Sequence, residues 1–209
     1  MISLFLTIVV VAVAAEPDFG ALDQATWKEV GSRRTDVGKV MLQASYVDEV
    51  GCVQGDVTVD VTPEKLLAVT DDMVSAPSWS SADISHSREL SRDASSFVLF
   101  QRLEVPAWTL SSDRYWVLRG TADSAKQRYR WYRLSGESHT AVSEAADGAI
   151  EPPVNYGEWR FLDHEDGTSL RYRACADFGG PVPTAVQRWV TTQQVPALIE
   201  DLVQEAGRR

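Results

Sequence analysis

Hydrophobic and polar residues alternate along much of the chain, the pattern of strands with one dry face. Between residues 37 and 46, Val40, Leu42, Ala44 and Tyr46 stand against Lys39, Gln43 and Ser45. Between 52 and 61, Val53, Val57, Val59 and Val61 stand against Gln54, Asp56, Thr58 and Asp60. Further strand-like segments follow at 84–90, 97–105, 115–121, 128–134, 158–162 and 169–176. Their lengths and polar connections predict an antiparallel meander.

Three other segments carry a helical period. The first, 21–34, places Leu22, Ala25, Trp27 and Val30 on an apolar stripe with Gly31 near its end. The second follows Thr62, Pro63 and Glu64, which supply an N-cap, a proline at the first helical position and an early acid. The third and longest runs from Pro183 to about Ala206, after Gly179, Gly180 and Pro181 break the last strand. Val182, Val186, Trp189, Val190 and Gln193 share one face of it. Val195, Leu198, Ile199 and Leu202 fall on the opposite face, and Pro196 sits where a kink can re-aim the stripe. The order of elements predicts an α+β domain over 21–206, a strongly curved antiparallel sheet wrapped around a long C-terminal helix. A sheet that curls so has an inner face its own side chains need not fill.

The amino terminus has a different character. Residues 2–13 are apolar except for Ser3 and Thr7, and Ala12 and Ala14 precede the polar Glu16, Pro17 and Asp18. This predicts a signal peptide over 1–15, cleaved near Ala15, and an exported protein, periplasmic or secreted. The segment has no Lys or Arg, so an uncleaved N-terminal anchor is the competing reading. Both cysteines, Cys52 and Cys175, lie beyond it, in a compartment that permits a disulfide.

Charge and histidine content narrow the chemistry. The 209 residues carry 30 Asp and Glu against 20 Lys and Arg, a net charge of −10 that repels phosphate backbones and excludes a nucleic-acid partner. His86, His139 and His164 are scattered, with no HExxH or CxxC, so no metal or other cofactor is expected. There is no GxSxG and no glycine-rich phosphate loop.

Four stretches together point to a family. Asp60-Val61-Thr62-Pro63-Glu64-Lys65-Leu66 leads to Asp71-Asp72, and Ala76-Pro77-Ser78-Trp79 follows. Val105-Pro106-Ala107-Trp108 runs on to Ser112-Asp113-Arg114. Gly157-Glu158-Trp159-Arg160-Phe161 precedes Asp166-Gly167-Thr168, Tyr172, Asp177, Gly179-Gly180-Pro181-Val182-Pro183 and Pro196. In this order and spacing, over 27–202, they resemble the START domain, a lipid-transfer module of the helix-grip superfamily. The resemblance implies an incomplete barrel that encloses one lipid or other hydrophobic molecule as a monomeric carrier or sensor, with the C-terminal helix as lid and no cofactor.

Within that frame, alternation separates Tyr129 and Trp131 from Arg128 and Arg130, Trp159 and Phe161 from Glu158 and Arg160, and Leu170 and Tyr172 from Arg171 and Arg173. These aromatics outline the concave wall, although each is equally an ordinary core residue. The expected ligand contacts are Trp108, Leu110, Tyr129, Trp131, Trp159, Phe161, Tyr172, Val186, Trp189, Val190 and Gln193. Arg119 and Arg133 are either buried hooks for a headgroup or solvated. The Trp108–Leu110 tip either dips into a membrane during ligand exchange or packs on Trp189. Two other functions compete with the carrier. One is a cyclase-like enzyme or hydrolase using His86 and Arg88 in the same cavity, since alternation sets them with Ile84 and Leu90. The other is an interaction module whose cavity is filled by its own side chains.

The family's topology makes the strands at 52–61 and 169–176 antiparallel neighbours, and alternation points both cysteines away from the concave face. Pairing Cys52 with Cys175 sets Gln54 against Arg173, Asp56 against Arg171 and Thr58 against Ser169, which matches acid to base. A disulfide is the expectation, with two free thiols as its alternative.

Overall fold

The computed structural model describes residues 16–106, 108, 111–135, 140–179 and 188–209. The strands are β1 (Lys28–Thr35), β2 (Gly38–Val47), β3 (Val50–Val59), β4 (Ile84–Arg92), β5 (Ser96–Leu103), β6 (Arg114–Asp123), β7 (Arg128–Arg133), β8 (Val154–His164) and β9 (Gly167–Asp177). They form one antiparallel sheet in the order β1-β2-β3-β9-β8-β7-β6-β5-β4. The sheet curves around the C-terminal helix, the α+β arrangement that the pattern predicts. The helices are α1 (Gly20–Gln24), α2 (Pro63–Asp71), α3 (Thr140–Ala145) and α4 (Val195–Arg208). A π-helical turn, Val190–Gln194, runs directly into α4.

Local chemistry explains most of these elements. Asp48 and Glu49 join β2 to β3 with both residues left-handed, φ 48° and 68°, a turn whose twist matches that of the strands. Pro63 opens α2 as expected; Thr62 holds the extended cap conformation, but its side chain makes no capping bond. Leu66 and Val69 of α2 and Ile199 and Leu202 of α4 are fully buried against the concave face with Val40, Leu42, Phe97, Phe161 and Leu170. A Cβ on Gly55 in β3 would lie 2.6 Å from Ile199 Cδ1, so the missing side chain is what lets α4 lie on the sheet. The π turn has a cause as well. Pro196 has no N–H for the carbonyl four residues back, and the chain widens by a residue just before it.

Two expectations are corrected. The stretch 21–34 is not one helix: α1 stops at Gln24, and 28–35 becomes β1, giving nine strands among the described residues where the pattern shows eight. After Trp27 the apolar period fails. Val30 is exposed, and Lys28, Glu29, Arg33 and Arg34 make a charged edge strand, a device that discourages further strand pairing. A bulge between Glu29 and Gly31, where Gly31 has φ 142°, absorbs the misfit with β2. The second correction concerns β4. A bulge between Ile84 and His86 shifts its alternation, so His86 pairs with Arg102 and Arg88 with Phe100, and both His86 and Arg88 are exposed. Of Ile84, His86, Arg88 and Leu90, which alternation sets together, Ile84 packs onto the main core and Leu90 onto the cluster of the other face.

The register of β3 against β9 is the expected one: Cys52 opposite Cys175, Gln54 opposite Arg173, Asp56 opposite Arg171, Thr58 opposite Ser169. Cys52 and Cys175 form a disulfide with Cα atoms 4.1 Å apart. Both point to the convex side, where Phe19 and Leu22 of the amino-terminal segment and Tyr156 cover them as a small second core.

Candidate ligand cavity

Between the concave sheet and α4 lies a predominantly apolar cavity of about 240 Å³. Its most ordered wall is aromatic. Trp131 of β7 stacks on Tyr129 at 6.1 Å and on Tyr172 of β9 at 5.7 Å, and Trp159 of β8 meets Tyr172 at 4.5 Å. Glycine makes the row possible. Gly157 of β8 sits between Trp131 and Ala174 in the ladder, and a Cβ there would fall 2.4 Å from the Trp131 ring and 2.3 Å from the Arg173 carbonyl oxygen. The indole therefore lies across the empty position, and its Nε1 donates to Asn155 Oδ1 at 3.0 Å.

Tyr129, Trp131, Trp159 and Tyr172 line the cavity. Phe161 does not: it is fully buried in the main core two residues farther along β8 and stacks on Trp159 at 6.2 Å. The helix side corrects the expected face: Leu198 and Leu202 line the cavity, whereas Trp189, Val190 and Gln193 are half-buried and are not among its lining residues. Gln193 is engaged elsewhere, accepting from the Arg33 guanidinium. Trp108 is 59% exposed and meets Trp189 edge-on at 5.6 Å, so the tip both packs on Trp189 and presents surface to solvent. Leu110 and Val186 lie outside the described residues.

Neither Arg119 nor Arg133 is among the residues that line the cavity. Arg133 is bound to Glu151 Oε1 at 3.0 Å and to the Pro153 carbonyl, and Arg119 pairs with Val98 and Tyr132, which pack on the convex side. His86 and Arg88, exposed on the outer side of β4, do not reach the cavity. Sequence reading passes over other wall residues, notably Trp79, Gln101 and Trp116. The signal for Trp116 is there, because it alternates inward with Leu118 along β6. Arg114, which is not part of the wall, is buried at the start of β6. Its guanidinium donates to the Phe178 carbonyl at 2.8 Å, to Ser111 Oγ at 2.9 Å and to the Ser112 carbonyl, tying the end of the Trp108 loop to the end of β9. Burial lowers its proton affinity, and Asp113 partly offsets this.

No sequence-family model matches the chain, and no curated protein matches it in sequence. Solved structures do match in shape. Human STARD10 superimposes with a TM-score of 0.72 at 14% identity, over 94% of this chain and 82% of its own. A fragment of a STAR-related lipid transfer protein from Xanthomonas axonopodis gives 0.68 at 15% identity, over 88% of this chain and 99% of its own. The chain has the START, or helix-grip, fold. The same fold extends to an enzyme, the ZhuI aromatase/cyclase of a Streptomyces species, with a TM-score of 0.58 at 16% identity over 76% of this chain and 94% of its own. In the START frame, the cavity found here lies between the gripping sheet and the gripped helix.

Proposed function

We propose that this protein binds a lipid or other hydrophobic small molecule in the cavity, as a carrier or sensor, without covalent chemistry. The observation that carries the reading is the aromatic row Tyr129–Trp131–Tyr172–Trp159 facing an unfilled apolar space under α4. Such a space is costly to keep empty and is the usual form of a small-molecule site. The START fold, shared with proteins named for lipid transfer, supports it. The cyclase-like neighbour keeps an enzyme as the second reading. Against it, the described wall residues include no carboxylate and no histidine to move a proton near neutral pH, and His86 faces outward.

Trp108 is the proposed point of transient membrane contact, being a largely exposed indole beside the helix. The proposed exchange rests on that one side chain: Trp108→Ala should slow transfer of a fluorescent lipid from vesicles by several-fold while leaving equilibrium uptake unchanged. An unchanged rate removes the membrane role. Export is part of the reading: the disulfide suits an oxidising compartment, and no described helix is long and apolar enough to span a membrane. Amino-terminal sequencing of protein made in a secreting host tests cleavage near Ala15.

Native mass spectrometry of protein purified from its source tests the main proposal. A stoichiometric apolar adduct, released by organic extraction, is the expected result. Protein that is bare and takes up no apolar probe would instead favour an interaction module.

A further inference from the structure

We propose that the cavity selects an uncharged molecule with a hydroxyl on an apolar skeleton, and that Trp116 and Gln101 together bind that hydroxyl. The inference rests on the reading of the cavity as a ligand site and goes beyond it to the class of ligand.

Trp116, 6% exposed, lies on the cavity wall, and its buried indole N–H has no acceptor among the described residues. Two other wall tryptophans have one. Trp131 donates to Asn155 Oδ1 and Trp79 to Ser75 Oγ at 3.1 Å. A fully buried donor left unpaired is destabilising, so one on the wall of a cavity points to an acceptor that arrives with the occupant.

Gln101, 9% exposed, stands directly opposite Trp116 in the β5–β6 ladder. Side chains so placed have Cβ atoms about 5 Å apart on one face. The Gln101 amide nitrogen donates to Ser87 Oγ at 3.3 Å, and Ser87 spends its own proton on the Met73 carbonyl at 2.7 Å. That chain fixes which way the amide faces and leaves Gln101 Oε1 with no hydrogen bond among the described residues. One unpaired donor and one unpaired acceptor therefore sit side by side on an apolar wall. A hydroxyl satisfies both at once, accepting from the indole and donating to the amide oxygen. A hydrocarbon satisfies neither.

An ionised group fits worse. Arg102 is the charged residue among those lining the cavity, and its guanidinium is already held by Asp113 at 2.7 Å and by the Ala145 carbonyl at 2.8 Å. Burial also pushes the Tyr129 and Tyr172 hydroxyls up in pKa, so they remain neutral. A carboxylate or phosphate inside would meet no free counter-charge.

The test is calorimetric titration of the purified full chain with three probes of one length at neutral pH: decane, decanol and decanoate. Decanol should bind about tenfold more tightly than either of the others, the combined effect of two neutral hydrogen bonds. Trp116→Phe and Gln101→Met should each weaken decanol about threefold and leave decane within about twofold of wild type. The ratio of decanol to decane in the unaltered protein carries the test even if one variant does not fold. Decanoate binding as tightly as decanol, or decane binding as tightly as decanol, overturns the proposal while leaving a ligand cavity in place. Binding of none of the three overturns the ligand-cavity reading itself, and the proposal with it.

Discussion

Glu158 is the most demanding residue in the molecule, a carboxylate with no exposed surface on the convex side of the sheet. Three arginines answer it: Arg130 Nε at 3.3 Å, Arg173 Nη1 at 3.4 Å and Arg160 Nε at 2.7 Å, the last close as an ion pair but out of line for a hydrogen bond. Asp23 of α1 closes the cluster over Arg160 at 2.9 Å and Arg173 at 2.7 Å, and Phe19 lies 4.4 Å beneath the Arg130 guanidinium. Removing one partner from such a cluster strands buried charge. Glu158→Gln should therefore cost about 3 to 5 kcal/mol in urea unfolding; a loss below about 1 kcal/mol would mean that the arginines are in effect solvated. Asp23 sets the acid limit. Burial alone would raise its carboxyl, but hydrogen bonds and attraction from Arg160 and Arg173 outweigh that and hold it below the ordinary aspartate range. A depressed carboxylate contributes stability that is complete above the unfolded value and is lost as pH falls through the folded one. Below about pH 4, then, the segment from Phe19 to Trp27 should release from the sheet, with a change in Trp27 fluorescence. Asp23→Asn should remove that acid step; a step of equal size in the variant would assign it to another group.

At the scale of elements, legibility follows how many signals agree. The pairing of β3 with β9 is readable because sulfur, charge and alternation demand one alignment, with Asp56 against Arg171 confirmed by a 2.6 Å contact. The aromatic wall is readable because β7, β8 and β9 alternate without interruption through Tyr129, Trp131, Trp159 and Tyr172. Where the backbone departs from regularity, periodicity misleads. The bulge in β4 turns His86 outward, and β1 is held by ladder bonds to β2 and has no apolar face to announce it. The unpaired Trp116 N–H is a fact of three-dimensional neighbours, which no spacing in the sequence encodes. Gly157 lies between these cases, visible as a residue but not as a slot. Gly157→Ala would press a methyl group against backbone at the Arg173 carbonyl as well as against the Trp131 ring, so neither side can yield freely. The substitution should cost about 1 to 3 kcal/mol or more and alter the near-ultraviolet dichroism of the aromatic row. An unchanged spectrum with full stability would mean that Trp131 does not lie across that position.

Across the whole molecule, every neighbouring pair of strands but one is consecutive in the chain. The exception is β3 against β9, where the first three strands join the end of the meander. That seam must close late, since it brings together segments far apart in sequence and the cost of loop closure rises with their separation. Two features cross or brace it. The Cys52–Cys175 disulfide spans it over a separation of 123 residues, and α4 packs on β1 and β3 while also meeting α2. Replacing both cysteines by alanine leaves the helix contacts intact and removes the covalent link, so the molecule should still fold, with stability lower by about 2 to 4 kcal/mol in the chain-entropy account. The loss should not be uniform. Amide exchange should quicken most in β1, β2 and β3, which are held to the rest by the seam, and least in β6, β7 and β8, whose partners on both sides are consecutive strands or hairpins. Of β1, β2 and β3, only β3 reaches the cavity wall, with Gly51 and Val53, so uptake of an apolar probe should survive the double substitution within about twofold. Equal acceleration throughout the sheet would show that the seam opens only with global unfolding; loss of uptake in a folded variant would show that the disulfide shapes the cavity as well as the seam.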